Sequence, residues 1–165
     1  MEPGEALGIA AQIAVTLAGF AGVVVVFRRE SIHEWSPADK LRLRLLLTNS
    51  IFPLVLCMIG ILLLTIRPLP TGIWRWCSGF AFVVTLLFAI TMTKRFRRLD
   101  LRQIQSRRGT RLVFYLFGTL GIAVNLLQLY NVAVLGAFWA FFSSIVVQLL
   151  TGVFQFARMI LLRHE

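Results

Sequence analysis

Ser144, Gln148, Thr151, Gln155 and Arg158 recur at intervals of four, three, four and three residues, so on a helix they fall on one face. The residues between them are mainly Phe, Val, Leu, Ile and Ala. A matching set, Gly118, Gly121, Asn125 and Gln128, precedes it at intervals of three, four and three. In the first apolar run Gln12 accompanies Ala14, Ala18 and Gly22, a ridge of small residues that lets another backbone approach closely. An unpaired amide in hydrocarbon is costly, so such a seam must face protein or water. Interhelical hydrogen bonding, the commoner use, would pair Gln148 and Gln155 with Asn125, Gln128 or Gln12. The sharper use is the lining of a hydrated path in an oligomer.

A second set of residues is basic. Lys94, Arg95, Arg97, Arg98, Arg102, Arg107 and Arg108 crowd one polar stretch of a chain whose formal net charge is +10. Because the Lys and Arg residues cluster between apolar runs, the expected partner is the anionic headgroup of a membrane lipid rather than nucleic acid. Each such side chain near an anionic surface contributes about 1 kcal/mol. Docking of a partner protein is the other use of this stretch.

Catalytic constellations are missing from the pattern. The acidic residues Glu2, Glu5, Glu30, Glu34, Asp39, Asp100 and Glu165 all lie outside the apolar runs, which leaves no carboxylate at mid-membrane to carry a proton or hold a cation. His33 and His164 are isolated, and Cys57 and Cys77 sit inside apolar runs without the spacing of a metal site or redox pair. With no Ser-His-Asp set, no HExxH and no phosphate-cradling glycine loop, the chain is expected to be no enzyme, with no metal and no cofactor.

The elements that position these residues follow from composition. Of 165 residues 58% are hydrophobic and the mean hydropathy is +0.82, which implies an all-α integral membrane bundle forming one transmembrane domain. Spans are expected at about 7–27, 41–66, 73–93, 112–130 and 137–162, with a basic cytoplasmic loop at 94–111 that is partly helical and lies on the surface. The first run is preceded by Glu2 and Glu5 and followed by Arg28 and Arg29, the reverse of a secretory signal, and is expected to stay as an anchor. Ser36-Pro37-Ala38-Asp39 marks a helix start at Pro37. Pro53 removes a backbone donor from the second span, and Thr48-Asn49-Ser50 is expected to re-satisfy the backbone around a kink. The apolar stretch 112–162 would be roughly 75 Å long as one helix and must fold back. Tyr130-Asn131 and Gly136 mark the break, read as a brief outer loop. The first, fourth and fifth spans are expected to form the interior and the third to lie outermost.

Orientation follows from charge. With the amino terminus outside, five basic residues fall in the first inner loop, eight in the second and two at the cytoplasmic carboxyl end, against Arg67 and Arg75 outside, as the positive-inside rule requires.

The small-residue first span, Trp35-Ser36-Pro37-Ala38-Asp39 before the Leu/Arg-rich entry to the second, and Gln155-Phe156-Ala157-Arg158 near the end resemble the layout of small uncharacterised bacterial inner-membrane proteins. That resemblance implies a multi-pass protein of the bacterial cytoplasmic membrane and no particular activity. Gly19-Phe20-Ala21 followed by valines is similar to the pore helix of Orai calcium channels, but Phe27 stands where the resemblance would need the selectivity glutamate, and the inferred orientation is opposite. The function expected is a homo-oligomeric channel or pore-like protein, or alternatively a non-catalytic subunit or regulator of a larger membrane assembly.

Overall fold

The computed structural model describes residues 1–27, 35, 37–66, 72–98 and 108–161. Among the described residues five α-helices follow one another: α1 (Pro3–Phe27), α2 (Pro37–Thr65), α3 (Ile73–Arg98), α4 (Arg108–Tyr130) and α5 (Phe138–Leu161), with a π-helical turn at Asn131–Leu135 between the last two. All five are long and apolar enough to cross a membrane, and the chain is a small multi-pass membrane protein. It divides into two units, Met1–Pro70 with Ile145–Glu165, and Thr71–Ser144.

In the first unit α1 packs on α2. Ala6, Leu7, Ala10, Ala14, Leu17 and Ala21 are the buried residues of α1, and four alanines on one side let the helices approach closely. The ridge expected through Ala14, Ala18 and Gly22 is therefore rotated: Ala14 is buried, Ala18 half-buried and Gly22 exposed. A ridge through Ala18 and Gly22 would turn Leu17 outward, whereas the observed one buries Leu7 and Leu17 together. Ala21, Trp35, Leu43, Leu46 and Met159 form an apolar cluster joining α1, α2 and the end of α5, and Phe20 stacks on Phe156 at 5.3 Å between ring centres.

Helix α2 starts at Pro37 as expected, with Arg42 Nη1 3.2 Å from Asp39 Oδ1 in its first turns. Pro53 is buried inside it and leaves the Asn49 carbonyl without its helical donor. The side chains nearby do not repair this break. Asn49 Nδ2 donates to the Leu45 carbonyl at 2.8 Å and Ser50 Oγ to that of Leu46 at 2.9 Å, both one turn upstream of the freed oxygen.

The second unit begins with Gly72, whose φ of 73° turns the chain into α3 and whose carbonyl accepts from Arg75 N at 2.8 Å. Helix α3 continues through Lys94, Arg95, Arg97 and Arg98, and α4 begins at Arg108, so the basic stretch is helical at both of its ends, in keeping with the partly helical segment expected. Arg102, Arg107 and the rest of 99–107 lie outside the described residues, as do His33 and His164. The break between α4 and α5 falls where expected, but the brief loop is a π turn closed by Gly136 N donating to the Asn131 carbonyl at 2.9 Å. Gly136 then takes a φ of 61°, a left-handed conformation that glycine adopts without penalty.

Helices α2 and α5 each bury 39% of their membrane window, α1 and α3 22%, and α4 only 17%. Within the hairpin unit, Asn125 and the Nε2 of Gln128 on α4 find hydrogen-bond partners.

Gly136→Ala places a side chain in the left-handed region and a Cβ 3.1 Å from Arg75 Nε. It is expected to cost about 1–2 kcal/mol, read as a lowered thermal midpoint in bicelles. Gly118→Ala, where a Cβ meets nothing within 4 Å, is expected to leave the midpoint equal or higher. Equal midpoints for wild type and Gly136→Ala would contradict the turn's geometry.

Candidate functional site

The hairpin unit holds the most densely bonded polar side chain, Asn131. Its Nδ2 donates to Ser78 Oγ at 2.6 Å and to the Ala137 carbonyl at 3.1 Å, while Oδ1 accepts from Ala137 N at 2.8 Å. The amide thus caps the π turn and ties it to α3, its donors and acceptor employed with no water needed. Gln128 Nε2 donates to the Ala140 carbonyl at 2.6 Å, and Arg75 Nη2 to that of Val134 at 3.2 Å. The Thr85 hydroxyl lies 2.7 Å from Asn125 Oδ1 and 2.7 Å from its own helix's Ala81 carbonyl, and its single proton serves one at a time. Asn125 Nδ2 turns back to the Gly121 carbonyl at 3.0 Å. Trp74 packs against Phe138 and Phe141, with centroids at 4.7 and 5.9 Å, and closes the hairpin with aromatic surface.

The polar face expected on the last helix is present on α5, and its centre is buried. Ser144 is fully buried, Gln148 is 9% exposed and Gln155 5%, with Thr151 and Arg158 half-buried beside them. The hydroxyls are satisfied within their own helix, Ser144 Oγ by the Phe141 carbonyl at 2.8 Å and Thr151 Oγ1 by that of Val147 at 2.7 Å. Arg158 lies 5.9 Å from the centre of the Phe154 ring. The glutamines differ. Among the described residues, both amide atoms of Gln148 and the Oε1 of Gln155 are buried with no hydrogen-bond partner, and in the hairpin the Oε1 of Gln128 is likewise unpaired while its Nε2 is bonded.

Of the partners expected for Gln148 and Gln155, Gln12 is in the same unit and makes no hydrogen bond with them among the described residues. Asn125 and Gln128 bond within the hairpin, and Gln12 lies on the exposed side of α1. What stands beside the glutamines is Gly152. A Cβ there would lie 3.5 Å from Leu17 Cδ1, 3.6 Å from the Asn49 carbonyl oxygen and 3.7 Å from Asn49 Cβ. Gly152 is four residues after Gln148 and three before Gln155, on the same face. The carbonyl freed by Pro53 therefore faces α5 between the two unsatisfied glutamines, which makes a column of polar groups inside the first unit.

Other expected residues are placed more simply. Lys94 is exposed, and Arg95, Arg97, Arg98 and Arg108 lie on helical backbone at the ends of α3 and α4. Cys57 and Cys77 are free and buried. Ser78, Arg75 and Gly152 were not singled out in the sequence as parts of a polar network. Gly152 had a visible signal in its register between two glutamines, while Ser78 had none, since its pairing with Asn131 depends on how α3 is rotated.

Gly152→Ala adds a methyl at ordinary contact distance and is expected to be tolerated. Gly152→Leu forces α5 away from α1 and α2 and is expected to cost about 1–3 kcal/mol, read as a lower thermal midpoint in bicelles. A Gly152→Leu protein as stable as wild type would contradict the close approach at this position.

No family model, no curated protein and no solved structure matches the chain, so the functional reading rests on the chemistry of these side chains.

Proposed function

We propose that this multi-pass protein works as a homo-oligomeric, pore-like protein whose hydrated path runs along the polar face of α5. The observation that carries the reading is the pair of buried, unsatisfied glutamines, Gln148 and Gln155, flanking the Asn49 carbonyl that Pro53 leaves free. A buried amide without a protein partner carries a penalty of about 1–3 kcal/mol, and water is the group that ordinarily meets it. Polar groups two turns apart, with a carbonyl between them, give water successive sites along the membrane normal. The polar face of α5 carries no acidic residue, and those on α1 and α2, Glu5 and Asp39, sit in the first turns, so small polar solutes or weakly selected ions suit the path better than a coupled proton.

The proposed setting is the bacterial cytoplasmic membrane, with the amino terminus outside, the carboxyl terminus in the cytoplasm and Lys94 through Arg108 against anionic headgroups. The charge asymmetry of the loops supports that orientation. The polar face of α5 is read as lining rather than catalytic, with no cofactor or metal.

A second reading, a non-catalytic subunit of a larger membrane assembly, draws support from α4. It is the least buried helix, and nothing lies within 4 Å of a Cβ added at Gly118 or Gly121, which leaves room for a foreign helix. Mild-detergent particles containing only this chain favour the first reading, and constant copurification with a different chain favours the second.

Gln148→Leu with Gln155→Leu removes the amides at nearly constant volume. Folding stability is expected to be equal or higher, while conductance of the reconstituted protein is expected to be lost as the wall becomes apolar and dewets. A stable double variant that conducts like wild type rejects the path, and a wild type silent at every voltage and ion gradient moves the choice to the assembly subunit.

For orientation, reporters after Glu165 or near Gln103 are expected to read cytoplasmic, and those before Met1 or near Pro70 external. Both termini on one side would contradict five crossings.

A further inference from the structure

The side of α1 opposite its alanine ridge carries Glu5, Gly8, Gln12, Thr16, Gly19 and Val23 at intervals of three, four, four, three and four. Gln12, Thr16, Gly19 and Val23 are exposed and Gly8 half-buried. A Cβ at Gly8 or Gly19 meets nothing within 4 Å. The Thr16 hydroxyl is occupied by the Gln12 carbonyl at 2.8 Å, but no hydrogen bond joins the Gln12 side chain to any described residue. Gln12 stands seven residues beyond Glu5, about 10 Å further along the axis, inside the hydrocarbon rather than at its edge. A primary amide thus points outward from a span of mean hydropathy 2.3, where lipid offers it no partner.

We infer that this face of α1 is a self-association surface that receives α1 of a second copy of the chain. Symmetry selects that occupant. Two copies inserted with the same orientation and related by a twofold axis along the membrane normal bring Gln12 opposite Gln12 at one depth. An amide carries both donor and acceptor, so the pair satisfies itself reciprocally, which a foreign helix achieves only with a polar residue at the matching depth. Gly8 and Gly19, one and two turns to either side, remove the side chains that would hold the backbones apart. The inference rests on the homo-oligomeric reading above and locates its contact.

The test is the self-association of the full chain in lipid vesicles, measured by single-molecule photobleaching as the protein-to-lipid ratio is varied. Gln12→Leu is expected to weaken association about tenfold, as loss of an interhelical polar pair does, and Gly19→Leu to weaken it further. Thr93→Leu, exposed on α3, is expected to have no effect. Because both altered α1 residues face outward, their thermal midpoints should match wild type, which separates lost association from lost fold. Gln12→Cys is expected to form disulfide-linked dimers under mild oxidant, whereas Ala10→Cys on the α2-facing side does not. Wild type that stays monomeric at every ratio overturns both this inference and the homo-oligomeric reading. Wild type that associates while Gln12→Leu and Gly19→Leu associate equally well overturns the interface alone.

Discussion

Hydrocarbon offers no hydrogen bonds, so every polar group within a span must be met by the protein, by water, or by another chain. The side chains of this protein meet that condition in graded ways. Hydroxyls turn back on their own helix, as Thr16, Ser50, Thr91, Ser144 and Thr151 do. The amides of the hairpin reach across it, Asn131 to Ser78 and Gln128 to the Ala140 carbonyl. Gln148 and Gln155 do neither. Their isolation gives the chain a functional direction, because polar atoms retained inside a packed helical unit without a protein partner call for water.

Helix α5 serves both units. Its first turns, through Ser144, belong to the hairpin, and from Ile145 onward it belongs with α1 and α2. The hairpin part is tied by the side-chain bonds of Asn131 and of Gln128 Nε2, although Gln128 Oε1 has no partner, and the aromatic contacts of Trp74 with Phe138 and Phe141 add apolar surface to that tie. The later part relies on small residues. Gly152 admits Leu17 and Asn49 to contact distance, and the alanine ridge of α1 brings α2 close. Proline at 53 then has a consequence beyond its own helix, since the carbonyl it frees opens toward the glutamine face instead of toward lipid.

The number and bounds of the spans were legible in the sequence because length limits and local breakers determine them. Pro37, Gly72, Asn131 and Gly136 mark ends that the structure places within a few residues. The polar face of α5 was legible for the same reason, since its helical period is a property of one segment. Rotation was not. Small residues occur on both sides of α1, and only packing against α2 decides that Ala6, Ala10, Ala14 and Ala21 turn inward and Gln12 outward. Nor were the partners of the α4 amides, since the bonds of Asn125 to Thr85 and of Gln128 Nε2 to the Ala140 carbonyl depend on how neighbouring helices are rotated. Partial helicity of the basic stretch was legible too, since Lys and Arg are good helix formers whose long stems suit a helix leaving the membrane.

Hydration of Gln148 in the bilayer is the central claim, and magnetisation transfer from water to side-chain amide nitrogens in lipid-embedded protein reads it directly. Gln128 supplies the internal reference, since it too is buried, 1% exposed against 9% for Gln148, but has its Nε2 bonded to the Ala140 carbonyl. The account predicts rapid transfer to Gln148 Nε2 and slow transfer to Gln128 Nε2. Transfer to Gln148 no faster than to Gln128 would mean a dry column and contradict the account.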